Sequence, residues 1–304
     1  MTVDLHQHVW TTPLLDALAR RDRLPFVRRT DGLTVLHGGG ELPYVIDTAA
    51  ESANRRAQLL ETDGLQRAVV ALSSPIGIEA LHHDAAAELI SAHLDGVLAL
   101  GDRFAAWGPI PVQGPDPADV DVVLRRGCTG VSVPACALAG REAFDALGPV
   151  LERVQSHRVP LFVHPGGVAG PHAPEAPLTD PLWWRALTDY VSQMQAAWLT
   201  FATRGRRELP GLAVVFAMLA GGAPLQSERL ATRGGPAVDL SDPLTFYDTS
   251  SYGPALIDAM AEWVGPAQLV YGSDRPVVEP VRTGRERALM DNAARLVGAV
   301  GAPV

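Results

Sequence analysis

The sequence predicts a (β/α)8 barrel of the TIM type, read as one domain over residues 1–304. Three observations carry that expectation. Short apolar runs alternate with segments of helical periodicity, the pattern of repeated β-α units. Runs such as RAVVALSS, LAVVFAML and QLVYGSD are apolar nearly throughout, as parallel strands buried on both faces must be. Eight such units also fit 304 residues better as one barrel than as two domains.

In chain order the strands are expected at residues 3–8, 67–73, 104–112, 127–134, 160–164, 212–219, 245–250 and 268–272. Helical patterns fall between them at residues 49–62, 78–93, 116–125, 143–157, 180–202, 255–264 and 284–297. One stretch breaks the alternation. Residues 20–46 interrupt the first unit and are expected as an inserted loop after the first strand, able to fold over the barrel mouth. A second long loop, residues 165–182, is rich in Pro and Gly.

Composition narrows the function. A hydrophobic fraction of 47% supplies ample core, and a net charge of -9 argues against nucleic-acid or anionic-membrane partners, which need a basic surface. No apolar run approaches the roughly 18 residues of a membrane span. The N-terminus places Asp4, His6 and His8 where a signal peptide needs basic and then apolar residues. A cytoplasmic protein acting on a small molecule is expected. Cys128 and Cys136 match neither a CxxC pair nor half a zinc ribbon, and in a reducing compartment they read as free thiols. All 25 residues of the Lys+Arg count are arginine. A Schiff base, a lysine nucleophile and a carbamylated lysine bridging two metals are therefore excluded.

The chemistry is read from strand ends. His6 and His8, in DLHQHVW, lie two apart on the first strand, so both side chains face the same side. His8 ends that strand, at the rim where barrels of this kind carry their active sites. The pair alone is a weak metal signal. His164, a third histidine, ends the apolar strand in VPLFVHPGG, and Asp274 follows the last apolar run in LVYGSDRP. A buried aspartate needs a cation or hydrogen-bond donors. A divalent ion among His6, His8, His164 and Asp274, with an open position, accounts for all four. Of the other histidines, His82, His83 and His93 read as solvated or packed, and His157 as lying at the opposite rim. His37 and His172 sit in loops, where surface status is weighed ahead of a substrate contact. Trp10 could form one wall of a pocket, and Trp183 with Trp184 another, against plain packing as the alternative. Arg275 could anchor a substrate carboxylate, against a structural ion pair.

DLHQHVW, VPLFVHPGG and LVYGSDRP, in this order and spacing, resemble the amidohydrolase-related enzymes of the amidohydrolase superfamily, the branch that includes aminocarboxymuconate semialdehyde decarboxylase. GDRFAAWGPIPV, RGCTGVSVP, TFYDTSSYG and DNAARLVG extend the resemblance over nearly the whole chain. It implies one divalent ion, Zn or Mn, held by His6, His8, His164 and Asp274, with Asp274 as the catalytic group that handles a proton. It also makes a homodimer plausible. One departure stands out: Met218 occupies the place where that family carries a histidine after the sixth strand, and a thioether neither shuttles a proton nor competes with imidazole for zinc. The leading expectation is a mononuclear metal-dependent hydrolase of a small cyclic or aromatic carboxylated metabolite, with a metal-activated water and Asp274 as general base. The alternative is a non-oxidative metal-dependent decarboxylase. A third reading, prompted by Met218, is a degenerate barrel that binds a metabolite without turning it over.

Overall fold

The computed structural model describes residues 1–166 and 179–298. In chain order the elements are β1 (Val3–Gln7), α1 (Thr12–Ala19), β2 (Phe26–Thr30), β3 (Leu33–His37), β4 (Tyr44–Ile46), α2 (Ala53–Thr62), β5 (Arg67–Val70), α3 (His83–Leu98), β6 (Phe104–Pro109) and α4 (Pro117–Arg125). There follow β7 (Gly130–Pro134), α5 (Arg141–His157), β8 (Leu161–His164), α6 (Trp184–Leu187), α7 (Asp189–Thr200) and α8 (Arg206–Glu208). The last are β9 (Val214–Phe216), α9 (Ser227–Thr232), β10 (Thr245–Asp248), α10 (Pro254–Val264), β11 (Leu269–Val270) and α11 (Glu286–Gly298).

Eight parallel strands run in the order β1-β5-β6-β7-β8-β9-β10-β11, each paired with its neighbour. The edges meet through the chain that follows β11. Leu5 N donates to Tyr271 O at 3.0 Å, Asp274 N to His6 O at 2.8 Å, and His8 N to Arg275 O at 2.7 Å. The predicted (β/α)8 barrel is thus observed, and every expected strand contains a shorter observed one. The excess at their ends is rim, where pairing stops and the chain turns into loops.

The barrel interior is filled by side chains from alternate positions. Trp107 of β6 stacks on Phe162 of β8, with ring centroids 5.1 Å apart, and its indole Nε1 donates to Leu5 O at 2.8 Å. Gly130 makes room for that tryptophan. A Cβ on it would lie 2.3 Å from Pro160 O and 2.8 Å from the Trp107 ring.

Residues 20–46 differ from the expected loop. They carry a three-stranded antiparallel sheet, β2-β3-β4, in which Phe26 pairs with His37 and Thr30 with Leu33. The cause is local. Asp31 and Gly32 both take positive φ, 50° and 79°, as a tight two-residue hairpin requires, and the Asp-Gly pair is the residue choice that suits it. His37 is therefore a strand residue, its ring stacked on Phe26 at 4.6 Å. Helix α1, just before this insert, was not expected either. It buries Leu14, Leu15, Ala17 and Leu18, an apolar stripe only eight residues long. Among the described residues no helix is long and apolar enough to cross a membrane.

Replacing Gly130 by Ala should destabilise the fold by about 1–3 kcal/mol, because the new methyl meets backbone on one side and a fixed aromatic ring on the other. Chemical denaturation checks it; an unchanged midpoint would mean that the barrel floor relaxes freely.

Candidate metal centre

Four side chains meet at the rim where the barrel strands end. His6 and His8 come from β1 and the residue after it, His164 closes β8, and Asp274 follows β11. One ligand atom from each lies within 4.8 Å of the others. The three imidazoles pack edge-on, with centroids 4.9–5.0 Å apart and planes near perpendicular.

The partners of the other ring nitrogens decide what this cluster presents. His8 Nδ1 lies 2.9 Å from Ala71 O, and His164 Nδ1 lies 2.8 Å from Pro165 O. A carbonyl only accepts, so both Nδ1 atoms carry hydrogen and both Nε2 atoms present lone pairs. His6 Nδ1 lies 2.6 Å from Asp248 Oδ2, which orients its Nε2 in the same way. His6 Nε2 and His8 Nε2 are 3.1 Å apart, and Asp274 Oδ1 lies 3.5 Å and 3.1 Å from them. Three imidazole lone pairs and a carboxylate thus converge in a buried space. That arrangement is repulsive unless a cation or a proton sits among them, and three nitrogens with one oxygen suit a borderline divalent ion.

The electrostatics show the same shortage of positive charge. Burial opposes a charge on His6, but Asp248 and Asp274 outweigh it and push its pKa up to about 9. Burial, helped by His6 and His8, drives His164 well below its ordinary value. Burial raises the Asp274 carboxyl, yet His6 and His8 more than offset this and hold it below the usual carboxylate range. Asp274 is also the member open to solvent, with 17% of its side chain exposed against 2% for His6 and His8.

A scaffold beneath the cluster fixes these positions. Asp4, fully buried, accepts from His6 N at 3.0 Å, Gln7 Nε2 at 2.8 Å and Ser273 N at 3.1 Å, so one carboxyl ties the first strand to the last. Arg56 of α2 donates from Nη2 to Gln7 Oε1 and to His8 O. Glu51 accepts from Trp10 N at 2.9 Å. Residue-pattern reasoning missed these groups. Asp248 was within reach, since it ends the seventh apolar run of TFYDTSSYG as Asp274 ends the eighth.

Of the expected substrate contacts, Trp10 is buried beside the cluster, and its indole Nε1 has no hydrogen-bond partner. Arg275 is taken up elsewhere. Its guanidinium holds Asp63 at 2.7 and 3.1 Å and Glu279 at 2.7 Å, the structural ion pair that was the alternative reading. Its neighbour Asp274 faces the cluster, and successive side chains diverge. Trp183 is 57% exposed, with its ring against Trp184. His172 lies outside the described residues. His157 bonds Asp121 at the opposite rim, and His83 bonds Asp119. His93 is packed within α3's buried face. A pocket of about 450 Å³ between the starts of β8–β11 and α11, with Arg158 and Arg295 among its lining residues, is at the far end of the barrel from these groups.

Met218 follows β9 and is half-buried. It opens a left-handed turn, with φ between 43° and 74° from Met218 to Gly222. Three of those five residues carry side chains, at a cost of about 1–2 kcal/mol each. Gly221 is obligatory, because a Cβ there would sit 2.8 Å from Val191 O of α7.

No protein-family profile matches this sequence, and no curated protein does. Solved structures do. IDCase from Metarhizium anisopliae superposes with a TM-score of 0.74 at 17% identity, over 99% of this chain and 93% of that one. 5-Carboxyvanillate decarboxylase LigW from Sphingomonas paucimobilis gives 0.67 at 18%, over 98% of both chains. 5-Carboxyvanillate decarboxylase from Novosphingobium aromaticivorans, complexed with manganese and 4-hydroxy-3-methoxy-5-nitrobenzoic acid, gives 0.68 at 15%, over 98% and 96%. This chain has their fold. At 15–18% identity the likeness is one of architecture.

Two outcomes test the centre. Asp248→Asn should lower metal affinity by roughly 10–100-fold, because the group that orients His6 loses its charge; calorimetric titration of apoprotein with Mn²⁺ or Zn²⁺ measures it. Glu79, buried near the rim with Ser74 Oγ at 2.5 Å, has its carboxyl pushed up by burial from 4.5 to about 7. Folding therefore favours its protonated form. The burial is harmless below about pH 4.5, costs progressively more through that window, and is fully felt above about 7. Glu79→Gln should gain up to about 3 kcal/mol relative to the parent protein above neutrality, and this advantage should vanish in acid. Denaturation at a series of pH values checks the slope.

Proposed function

We propose that the protein is a metal-dependent, non-oxidative decarboxylase of a small aromatic or cyclic carboxylate. The observation that carries this reading is the convergence of three imidazole Nε2 lone pairs and the Asp274 carboxylate. His6, His8, His164 and Asp274 would hold one divalent ion, Mn or Zn, with Asp248 as the orienting partner of His6. Bound there, the ion supplies Lewis-acid polarisation of a substrate carboxylate and an adjacent oxygen. The known decarboxylases that share this fold, one of them complexed with manganese and a substituted benzoic acid, support this reading above the hydrolase expected first.

The chain's own groups do the rest. Asp274 is the cluster member nearest solvent, so it handles the proton: the bond from ring carbon to carboxylate breaks, CO2 leaves, and that carbon takes a proton passed through Asp274. Trp10, buried two residues past His8, is the candidate wall of the site. The buried histidines keep bulk water away from the reacting carbon.

Metal-loaded protein incubated with a panel of ortho-hydroxy aromatic carboxylates in deuterated water should release CO2 and place deuterium on the carbon that lost it. Incorporation of heavy oxygen from labelled water, with no CO2 released, would restore the hydrolase. Failure to retain stoichiometric Mn²⁺ or Zn²⁺ would overturn both.

A further inference from the structure

The two carbonyls that orient His8 and His164 differ in how they are supported. Ala71 continues the barrel ladder: its N–H donates to Gln7 O at 2.8 Å, while its carbonyl faces His8 Nδ1. Pro165 lies past the end of β8, outside any paired strand. Its carbonyl and the N–H of Gly166 belong to one planar peptide, so whatever holds Gly166 also sets the acceptor of His164 Nδ1. That N–H donates to Gln193 Oε1 at 3.0 Å, and Gly166 O accepts from Cys136 N at 3.1 Å. A Cβ on Gly166 would lie 2.7 Å from Ser74 Cβ and 2.9 Å from Pro134 Cβ. Gly166 is thus wedged between the chain after β5 and the end of β7.

Ser74 is itself braced. It opens a single 3-10 turn, Ser74–Ile76, which Gly77 closes at φ 84° with its N–H on Ser74 O at 2.9 Å. The reversal brings Glu79 back to Ser74, whose hydroxyl lies 2.5 Å from Glu79 Oε1. The Glu79 carbonyl accepts from Val112 N at 2.8 Å, in the chain after β6. Both residues are sealed from solvent, and Glu79 Oε2 has no partner. An apolar side chain would fill the same space without the cost of burying a carboxyl. Among the described residues, Ser74 is the one side chain that this carboxyl bonds.

We propose that Ser74 and Glu79 are a positioning pair for His164: the carboxyl fixes Ser74, Ser74 fixes Gly166, and the Pro165–Gly166 peptide so held keeps hydrogen on His164 Nδ1 and leaves Nε2 bare. The pair touches neither ion nor substrate. If Ser74 gives way, the peptide can rotate and its carbonyl leaves Nδ1. The ring is then free to carry hydrogen on Nε2, the atom that must be bare to bind a cation. His6 and His8 do not share this dependence, one being held by the Asp248 carboxylate and the other by a ladder carbonyl. The consequence for the ion rests on the metal reading above; the tautomer of His164 does not.

The test compares the full chain as parent, Ser74→Ala, Glu79→Leu, Glu79→Gln and Gly130→Ala. Nitrogen-15 NMR of the imidazole rings, recorded without metal, reads the tautomer of each histidine, and calorimetric titration with Mn²⁺ and Zn²⁺ reads affinity. In the parent, His164 should carry its hydrogen on Nδ1. Ser74→Ala and Glu79→Leu should shift His164 toward the other tautomer, leave the tautomers of His6 and His8 unchanged, and weaken metal binding up to about tenfold. Glu79→Gln keeps a carbonyl for the Ser74 hydroxyl and should match the parent in both readouts. Gly130→Ala loosens the barrel floor and should move neither. Should Ser74→Ala fail to fold, the contrast between Glu79→Leu and Glu79→Gln decides. A parent-like His164 in Ser74→Ala and Glu79→Leu overturns the proposal, as does an equal shift in Gly130→Ala. A parent that holds no metal overturns the functional reading instead, and the tautomers then decide the positioning pair by themselves.

Discussion

Everything at the barrel rim depends on one electrostatic constraint, three imidazole lone pairs aimed at the same buried point. Each is aimed by what holds the opposite ring nitrogen: Asp248 for His6, the Ala71 carbonyl for His8, and the Pro165 carbonyl for His164. Because these partners accept, the rings cannot turn to relieve the repulsion without giving up a hydrogen bond in a dry interior. The barrel spends stability to keep a cation-shaped deficit. That cost is sensible only if something positive fills it, and the depressed carboxyl of Asp274 is the adjoining half of the same arrangement.

The legible parts of the fold were those with strong periodicity or strong chemistry. Buried parallel strands are apolar on both faces, so each of the eight declared itself in the sequence. His6, His8, His164 and Asp274 did too, being polar groups at the ends of such runs. The insert was illegible for the opposite reason. Its strands carry FVRRT and LTVLH, short and half-exposed, and the Asp31-Gly32 turn is their clearest signal. Asp4 and Arg56 were hidden because their roles are pairings across the fold. Arg56 is 48 residues from the His8 carbonyl it binds, and no local pattern encodes that distance.

Arginine placement shows how context divides identical side chains. Arg275 adjoins a cluster residue in sequence but is enclosed by Asp63 and Glu279, and so serves the frame. Arg185 is 90 residues earlier in the numbering, on a four-residue helix after the fifth barrel strand, and it pairs with Glu41 of the insert. Neighbourhood in sequence does not bring Arg275 to the cluster, because an extended chain sends adjacent side chains to opposite faces. The left-handed turn at Met218 is a further case of context over type. Its backbone is set by the approach of α7, which demands glycine at 221 and strains the residues before it.

The bonds that join the two edges of the barrel have a temporal consequence. Asp274 N meets His6 O, His8 N meets Arg275 O, and Asp4 reaches Ser273 across 269 positions of sequence. The same residues that shut the cylinder present the cluster, so no stretch of nascent chain ending before Asp274 contains it. An ion held by these four side chains would therefore be taken up only after the seam has closed. Its release would in turn require that this seam open, since both of its sides carry members of the cluster.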